Sequence, residues 1–312
     1  MLLDGRSTSP EIAKQLGLTK EVVQKNYAEM ERKGVINGAT IHINYRGFGY
    51  KAVAHILIRV DPAQEVRLVV YFKKMPEVYS FYKSGPRGNM DAILILKTLQ
   101  QLGILKDAIK SEFSVLEMKT GIWTDVKEMH GNLAIVPDES ANNQNLEYQI
   151  KAKRANDYPR KNAVDQIDQK IADILSEDGR ASIETIAKRT GIAKNIVNRR
   201  YRKLKKNGLL KVTIQIDPVK IGYRALGIFF AVVSHEDSSA IIDKISAIPD
   251  VISIMKISGD YDLQIYAMIK NIDHLLSIQE KLEKIPGMSK MDMELYGMLR
   301  KWPTPRQYIS TF

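Results

Sequence analysis

Apolar and polar residues recur at helical spacing early in the second half of the chain, where they predict three helices. The first, Asp165 to Leu175, carries isoleucines on one face and stops at Asp178-Gly179. Ser182 is placed to cap the second helix, and the third runs from Lys194 to Asn207. Two helices of this size joined by a short turn containing glycine are typical of a helix-turn-helix unit.

After this unit the pattern changes to strands and helices in alternation. Val212 to Ile216 alternates as a strand does, and we expect it to form a wing. The elements predicted beyond it are a strand at 226–233, a helix at 238–247, strands at 251–257 and 262–269, a helix capped by Asn271, and a strand at 291–295. This β-α-β-β-α-β order is that of a ferredoxin-like unit, whose antiparallel sheet carries both helices on one face.

Residues near the start of the chain recur in its second half at a nearly constant distance. Asp4-Gly5-Arg6, Gly17 and Tyr27 return as Asp178-Gly179-Arg180, Gly191 and Tyr201. A period of about 170 residues far exceeds the roughly 20–50 residues of a solenoid repeat, so each copy is expected to be a whole module. The sequence therefore predicts one tandem duplication.

The first half of the chain follows the same order of patterns in a weaker form. Ser9-Pro10 suits the start of a helix, as N-cap and first-turn proline, and Thr19 is placed to cap the next helix. The first of the three expected helices is almost absent, since the sequence begins where that helix would end. Either another segment covers this part of the three-helix core, or the true start lies upstream.

These patterns predict an α+β fold with two winged helix-turn-helix domains and two ferredoxin-like (βαββαβ) domains in tandem. The expected domains are a winged helix-turn-helix domain at 1–45 with a truncated first helix, a ferredoxin-like domain at 50–125, a polar linker at 137–162, a second winged helix-turn-helix domain at 163–217 and a second ferredoxin-like domain at 224–300. We call residues 1–125 the first module and residues 163–300 the second module.

Charge and composition restrict the kinds of binding partner and the cellular compartment that we expect for this protein. The 312 residues carry a formal net charge of +11, an excess that favours a polyanionic partner such as nucleic acid. The absence of cysteine excludes disulfides, cysteine nucleophiles and thiolate metal sites. No apolar run is long enough to span a membrane, and the N-terminus has no secretory signal, so we expect a cytoplasmic protein without a membrane partner.

The third helix of the second module concentrates this positive charge. Seven lysines and arginines fall within 13 residues without an acid, while Val197, Tyr201 and Leu204 form the inward side. In a DNA-binding helix-turn-helix this helix enters the major groove, where arginine suits guanine, asparagine suits adenine, and further cations meet phosphates. The candidate DNA-binding residues here are Lys194, Asn195, Asn198, Arg199, Arg200, Arg202, Lys203, Lys205 and Lys206.

The matching helix of the first module has a different charge balance. Its candidate DNA-binding residues are Lys20, Gln24 and Lys25, but three acids lie among four bases along this helix. Because phosphate binding depends on positive charge, we expect the second module to be the main anchor on double-stranded DNA. The first module is expected to bind DNA weakly or to serve an architectural role.

Residues 164–299 resemble a whole member of the Lrp/AsnC family, the leucine-responsive regulatory proteins. The resemblance is carried by Ile-Asp-x-x-Ile at 167–171, Asp-Gly-Arg at 178–180, Arg-Arg-x-Arg-x-Leu at 199–204, Ser-Gly-Asp-Tyr-Asp at 258–262 and Ile-Pro-Gly at 285–287. Residues 3–124 resemble the family with fewer motifs. The resemblance implies a transcriptional regulator with a winged helix-turn-helix domain and a RAM domain that responds to amino acids. It also implies pairing of RAM sheets, either between chains in a homo-oligomer or within this chain as a pseudo-dimer.

The turn between two predicted strands of the second module is the candidate ligand-binding loop. Its residues are Ser258, Gly259, Asp260, Tyr261 and Asp262. The resemblance implies that this loop lines an effector pocket. Backbone amides here suit a carboxylate, and Asp260 or Asp262 suits an ammonium group, so an amino acid is the expected effector. A plain hairpin turn explains the same residues equally well. No other cofactor and no metal is predicted.

Two other classes of protein stay open at this point. An enzyme is disfavoured, since the five histidines, at 42, 55, 130, 235 and 274, are scattered without metal spacing and no residue stands out as catalytic. The siroheme decarboxylases are similar in architecture, but they place histidine in and near the turn that is 256–262 here, where this chain has none. The other alternative is a small-molecule sensor or assembly protein whose helix-turn-helix domains no longer bind DNA.

Overall fold

The computed structural model of the chain describes residues 4–84, 89–129, 132–133, 164–234, 238–303 and 310–311. The predicted linker at 137–162 lies outside these residues. Within the part of the chain that is described, no helix is long and apolar enough to cross a membrane.

The first module consists of two helices and a strand, followed by a β-α-β-β-α-β unit. Its elements are α1 (Ser9–Leu16), α2 (Lys20–Arg32), β1 (Ile36–Ile43), β2 (Ala52–Val60), α3 (Glu65–Lys74), β3 (Val78–Ser84), β4 (Asn89–Leu96), α4 (Gln100–Glu112) and β5 (Val115–Glu128). Residues 4–8 precede α1 without forming a helix. The two helices thus stand without a third helix of their own module in the described residues.

The second module has the same order with one more helix at its start. Its elements are α5 (Gln166–Glu177), α6 (Ile183–Thr190), α7 (Lys194–Lys206), β6 (Leu210–Ile216), β7 (Ala225–Val233), α8 (Ser238–Ser246), β8 (Val251–Ser258), β9 (Leu263–Ile269), α9 (Ile272–Glu283) and β10 (Met288–Gly297), and a short strand β11 (Ser310–Thr311) follows. The helices and strands predicted for this module are confirmed, with small differences at their ends. The domain boundaries and the duplication itself stay predictions, although the elements that the modules share occur in one order.

Most helix ends follow the predicted capping residues. The Ser182 hydroxyl accepts a hydrogen bond from the backbone N–H of Thr185, and Gly191 ends α6 in the left-handed region at φ 70°. The predicted cap Ser9 is wrong, because α1 begins at Ser9 and its N-cap is Thr8. The Thr8 hydroxyl accepts from the backbone of Glu11, whose carboxylate accepts from the backbone of Thr8, so this pair satisfies two helix-end amides that Ser9 would leave open.

The two ferredoxin-like units pair within the chain as one eight-stranded sheet. The strand order is β10-β7-β9-β8-β5-β2-β4-β3, and β5 of the first module pairs antiparallel with β8 of the second. The outermost strands, β3 and β10, also approach each other. The sheet therefore folds back on itself, and its two halves face each other.

The buried residues form three apolar cores between four layers of secondary structure. Helices α3 and α4 cover the outer face of the first half-sheet, and α8 and α9 cover the outer face of the second. The inner faces share one core, in which the Trp123 indole N–H donates to the Gln264 side-chain oxygen at 2.9 Å. The alternation of each strand decides which residues meet a helix and which meet the opposite module.

The expected wing of the second module is corrected by the structure. Strand β6 pairs antiparallel with β1, from Ile36 opposite Ile216 to Ile43 opposite Leu210, and β11 flanks β1 on its other edge. Most of β6 is buried, since its apolar residues belong to the core that both modules share. A strand that is paired and covered in this way is a join between modules and not a free wing.

The repeated Asp-Gly-Arg motif of each module contacts the strand of the other module. Gly5 and Gly179 donate their backbone N–H groups across this join, at 2.8 and 2.9 Å. A Cβ on Gly5 would lie 2.7 Å from the carbonyl carbon of Thr213, and one on Gly179 would lie 2.6 Å from the carbonyl oxygen of Thr40. The close approach of two backbones therefore requires glycine at both positions.

The arginines of the two motifs form a reciprocal contact. The guanidinium carbon of Arg6 lies 4.8 Å from the ring centre of Tyr201 on α7, and that of Arg180 lies 5.0 Å from the ring centre of Tyr27 on α2. Arg6 also donates to two backbone carbonyls of the second module, at 3.1 and 2.9 Å, and Arg180 donates to the carbonyl of Gly5 at 2.8 Å. We call Arg6, Tyr201, Arg180 and Tyr27 the arginine–tyrosine clamp.

Candidate nucleic-acid interface and ligand cleft

Helix α7 has an apolar inner side and turns most of its cations to solvent. Val197, Tyr201 and Leu204 are buried, and α7 is in contact with α5 and α6. Of the predicted DNA-binding residues, the exposed ones are Lys194, Asn195, Arg199, Arg202, Lys205 and Lys206, and the half-buried ones are Asn198, Arg200 and Lys203. The helix thus presents a basic surface on a firmly packed support, while the role of these residues in DNA binding stays a prediction.

Arg200 differs from its neighbours on α7, because its guanidinium is turned toward α5. Its Nη1 lies 2.7 Å from a carboxylate oxygen of Asp165 and 3.4 Å from one of Asp168. Burial raises the pKa of Asp168, whereas the backbone N–H of Asp168 lowers the pKa of Asp165 by bonding its carboxylate. Arg200 therefore fastens α7 to the start of α5 and is not directed toward an external anion.

Two further cations of α7 form long ion pairs at the surface. Lys194 Nζ lies 3.4 Å from a carboxylate oxygen of Glu184, and Lys205 Nζ lies 3.6 Å from one of Asp4. All four side chains are substantially exposed, and such pairs contribute little to stability. Both lysines can exchange these partners for phosphate at small cost.

The matching helix α2 presents a mixed surface. Its predicted DNA-binding residues Lys20, Gln24 and Lys25 are exposed, as the sequence pattern indicates. Glu29 lies on the same helix and pairs with Lys33 at 2.7 Å, and this contact lowers the pKa of Glu29. A carboxylate that stays charged on this face of α2 lowers the positive electrostatic potential that would attract a polyanion.

The predicted ligand-binding loop lies against the first module. A Cβ on Gly259 would stand 2.8 Å from the carbonyl oxygen of Thr120 on β5, so this glycine permits the close approach of the loop. The Asp262 carboxylate accepts the backbone N–H of Val233 at 2.9 Å, and Ser258 is exposed at the end of β8. These contacts engage the carboxylate of Asp262 within the protein, which leaves Asp260 as the acid of this loop available to a ligand.

A cleft of about 340 Å³ opens beside this loop, between the two half-sheets. Its walls come from β2 and β5 of the first module and from β7, β8, β10 and the loop of the second. Asp260 and Tyr261 line it, together with Phe230, Asp292 and Glu294. The cleft therefore needs both modules, and a volume of this size suits a small molecule.

Tyr261 and Asp292 form a hydrogen-bonded pair on one wall of this cleft. The Tyr261 hydroxyl donates to the Asp292 carboxylate. Burial and this bond raise the pKa of Tyr261, and the same bond lowers the pKa of Asp292. The wall thus carries a neutral phenol and a charged carboxylate at neutral pH.

His55 lines the opposite wall, and the sequence pattern did not single it out as a site residue. The residue is 4% exposed, and its Nδ1 lies 3.1 Å from a carboxylate oxygen of Asp91, which is fully buried. The strand pattern holds the signal that could have found it, because His55 lies between Val53 and Leu57 on the inward side of β2. A lone histidine among scattered histidines hides this placement, since its partner is 36 residues away in sequence.

The chain combines helix-turn-helix units with ferredoxin-like units that enclose a cleft. This combination is typical of proteins in which one domain binds DNA and the other binds a small ligand. Residues 164–205 match the AsnC-type helix-turn-helix domain, and residues 228–296 match the Lrp/AsnC ligand binding domain. HTH-type transcriptional regulator FL11 of Pyrococcus horikoshii is 32% identical over 126 residues, which cover 40% of this chain and 83% of that protein. HTH-type transcriptional regulator LrpA of Pyrococcus abyssi is 32% identical over 130 residues, which cover 41% of this chain and 92% of that protein. The chain belongs to the Lrp/AsnC family.

Among solved structures, the siroheme decarboxylase NirDL is similar in fold over nearly the whole chain. The TM-score is 0.60, with 97% of this chain and 88% of that chain covered, at 14% sequence identity. A second structure, of NirDL in co-complex with an iron-uroporphyrin III analogue, gives a TM-score of 0.61 at 14% identity and covers 99% of this chain and 92% of that chain. At this identity the similarity shows the shared fold alone.

Proposed function

We propose that this protein is a transcriptional regulator that binds double-stranded DNA in a sequence-specific manner through two unequal helix-turn-helix units. The observation that carries the proposal is the exposed basic side of α7, opposite the buried Tyr201 and Leu204. A helix in this position of a helix-turn-helix unit reads base edges with its N-terminal half. Asn195 and Arg199 lie in that half, and both are exposed.

Electrostatics supports the same assignment. Adjacent cations on a helix repel one another by a few tenths of a kcal/mol per pair, and α7 contains no acid that relieves this repulsion. Phosphates of a duplex do relieve it, and they release counterions as they bind. Arg202, Lys205 and Lys206 are the exposed cations nearest the C-terminal half of α7, so they are the proposed phosphate contacts.

The contacts between the modules support the proposal that both helix-turn-helix units of one chain act together as one DNA-binding unit. Strands β1 and β6 pair with each other. In the arginine–tyrosine clamp, Arg6 of the first module contacts α7 of the second, and Arg180 of the second module contacts α2 of the first. One chain therefore presents a strongly basic helix and a mixed one in a fixed relation. Such a pair suits an asymmetric DNA site, and it requires no second chain for the pairing of sheets.

The second part of the proposal is a small effector, such as an amino acid, that binds at the loop of residues 258–262. Asp260 lines the cleft and is the proposed partner of an ammonium group. Because the cleft is built from both modules, a ligand there can change how the modules sit against each other. The regulator thus joins a DNA-binding end to a ligand-binding centre.

The DNA-binding part is tested by two matched triple substitutions in the full chain. Arg199→Glu, Arg202→Glu and Lys203→Glu reverse the charge on α7, and Lys20→Glu, Lys25→Glu and Arg32→Glu do the same on α2. Anisotropy with labelled genomic duplexes gives the affinity and its salt dependence. The α7 triple is expected to lower affinity by about 100-fold or more and to reduce the salt slope by about 0.9 for each phosphate that the helix no longer neutralises.

The α2 triple serves as the comparison, and it is expected to lower affinity only a few-fold. Thermal unfolding of both variants establishes that they fold. Unchanged DNA affinity of the α7 triple would contradict the proposal and favour a sensor or assembly protein with degenerate helix-turn-helix domains. A larger loss from the α2 triple would show that the anchor has been assigned to the wrong module.

A further inference from the structure

We propose that the cleft between the two half-sheets binds a small aromatic amine whose only charge is positive, and that His55 of the first module is one of its contacts. The inference keeps the location of the effector site in the proposed function, and in place of an amino acid it names an amine that carries no carboxylate. It rests on that proposal for the location of the site alone, and it does not depend on DNA binding.

The aromatic side of the argument comes from a row of rings along the cleft. The ring of Phe230 lies 5.4 Å from that of His55 and 5.4 Å from that of Tyr261. All three residues line the cleft, and Ile257 adds an aliphatic surface. A flat apolar group can stack here, as in small-molecule sites that combine apolar walls with a few polar groups.

The charge of the cleft favours a cation. Asp260, Asp292 and Glu294 line it, and Lys119 is the cation in its lining. Asp292 pairs with Lys290 at 3.3 Å, and Lys119 pairs with Glu117 at 3.1 Å. No ion pair occupies Asp260 or Glu294 among the residues that the structure describes, so these two carboxylates are left to attract a ligand.

The Tyr261 ring shows the kind of contact that an ammonium group makes at this cleft. Lys290 Nζ lies 4.9 Å from the centre of its ring, so the face of this ring already accepts one ammonium group. A ligand ammonium placed between the rings and the two open carboxylates would gain from both kinds of contact. An anionic ligand of the same shape would instead be repelled.

The His55–Asp91 pair supplies a directed polar contact inside the cleft. With Nδ1–H donated to Asp91, Nε2 is the ring nitrogen left for a contact inside the cleft, and it can meet an N–H of an amine. The edge of the ring that carries Cδ2 and Nε2 faces Gly121, another residue of the lining: a Cβ there would meet Cδ2 at 2.9 Å. Asp91 is the positioning residue, since it acts through His55.

The second module shows that the fold does not require this polar pair. Ile228 occupies the strand position of His55, and Gln264 occupies that of Asp91, in matching strand registers. Gln264 bonds the Trp123 indole, and its amide nitrogen lies 3.3 Å from the Tyr266 hydroxyl. In the first module one buried oxygen of Asp91 has no hydrogen-bond partner among the described residues, a cost that a purely structural pair would avoid.

The test is isothermal titration of the full-length chain with three probes of similar shape and different charge. These are tryptamine (cation), 3-indolepropionate (anion) and tryptophan (zwitterion). Tryptamine is expected to bind about tenfold or more tightly than either of the others, because the open charges of the cleft are carboxylates. Equal or tighter binding of the anion or the zwitterion overturns the proposal, and so does an absence of tryptamine binding.

Variants place the binding site. Asp260→Asn with Glu294→Gln is expected to weaken tryptamine binding about tenfold, and His55→Gln about fivefold. Glu283→Gln, on the outer helix α9, is the matched control and is expected to leave binding unchanged. Thermal unfolding monitors His55→Gln; if that variant does not fold, the Asp260/Glu294 double variant, which removes no buried group, decides the matter alone.

DNA affinity, measured on the same samples, separates this inference from the regulator proposal. Intact DNA binding without amine binding overturns the ligand assignment only. Amine binding that the carboxylate variants leave unchanged places the amine elsewhere and overturns this site. Amine binding that depends on Asp260 and Glu294 supports the site even where no DNA is bound.

Discussion

The two helix-turn-helix units of this chain have similar paired helices and very different support. Leu204 on α7 is 1% exposed, whereas Met30, at the matching position of α2, is 37% exposed. The difference is α5, which contacts α6 and α7 and has no counterpart before α1 in the described residues. The paired helices alone therefore do not make a closed core.

An open pocket lies beside α1 and α2 of the first unit. It measures about 370 Å³, and its lining includes Ile12, Val23 and Tyr27 of the first module together with Arg180 of the second. The matching residues of the second module are Ile186, Val197 and Tyr201, all of which are buried. The first unit is thus stabilised by contacts with the second module, through the arginine–tyrosine clamp and β6. The second unit is stabilised by its own helix α5.

The largest expected effect is on core stability at the matching positions Leu204 and Met30. Leu204→Ala should lower the free energy of unfolding by about 3 kcal/mol, because it leaves a cavity in a closed core. Met30→Ala should cost less than about 1 kcal/mol, since part of that side chain is already in water. Urea unfolding of both variants measures the difference, and equal losses would show that α2 is covered in solution.

The second expected effect concerns the glycines of the Asp-Gly-Arg motifs. Gly5→Ala and Gly179→Ala should each lower the free energy of unfolding by about 1–3 kcal/mol, because the new Cβ meets backbone atoms of the other module. Similar losses at both positions would indicate a symmetric join, and urea unfolding measures them.

Gly103 on α4 provides the control for these substitutions. A Cβ there meets nothing within 4 Å, and alanine favours a helix by about 0.5–1 kcal/mol over glycine, so Gly103→Ala should stabilise the protein. A neutral result for Gly5→Ala, beside a loss for Gly179→Ala, would mean that the two contacts are not equivalent.

The smallest expected effect is the coupling within the arginine–tyrosine clamp. Double-mutant cycles for Arg180→Ala with Tyr27→Ala, and for Arg6→Ala with Tyr201→Ala, should each give about 1 kcal/mol of coupling in unfolding free energy. The exposed pair Arg189–Glu177, at 2.6 Å, is the comparison and should give about 0.5 kcal/mol or less. An absence of coupling in both cycles would contradict the interpretation that the arginine–tyrosine clamp positions α2 and α7.

Local patterns in the sequence predict the helices and strands well, because they depend on near neighbours. The isoleucine spacing of α5, the cap at Ser182 and the end at Gly191 are all read from residues within a few positions of one another. The pairing of β1 with β6 cannot be predicted in this way, because the sequence of neither strand identifies its partner. The sequence therefore predicts a wing where the structure has a join.

The same reason limits what the sequence shows of the candidate sites. The basic side of α7 follows from helical periodicity, so its exposed residues could be predicted one by one. The turn of Arg200 toward Asp165 depends on the packing of two helices, and the His55–Asp91 pair depends on strand register. The repeated Asp-Gly-Arg motif was visible, but its function in contacting the other module was not.

The pairing of β1 with β6 has a consequence for the synthesis of the chain. The two strands are about 170 residues apart, so at roughly 5–20 residues per second β1 leaves the ribosome on the order of ten to thirty seconds before its partner exists. During that wait its edge is open to other chains, which is a hazard for a nascent polypeptide. Maturation of the first module is thereby tied to completion of the second, and a translational pause between them would prolong the vulnerable interval.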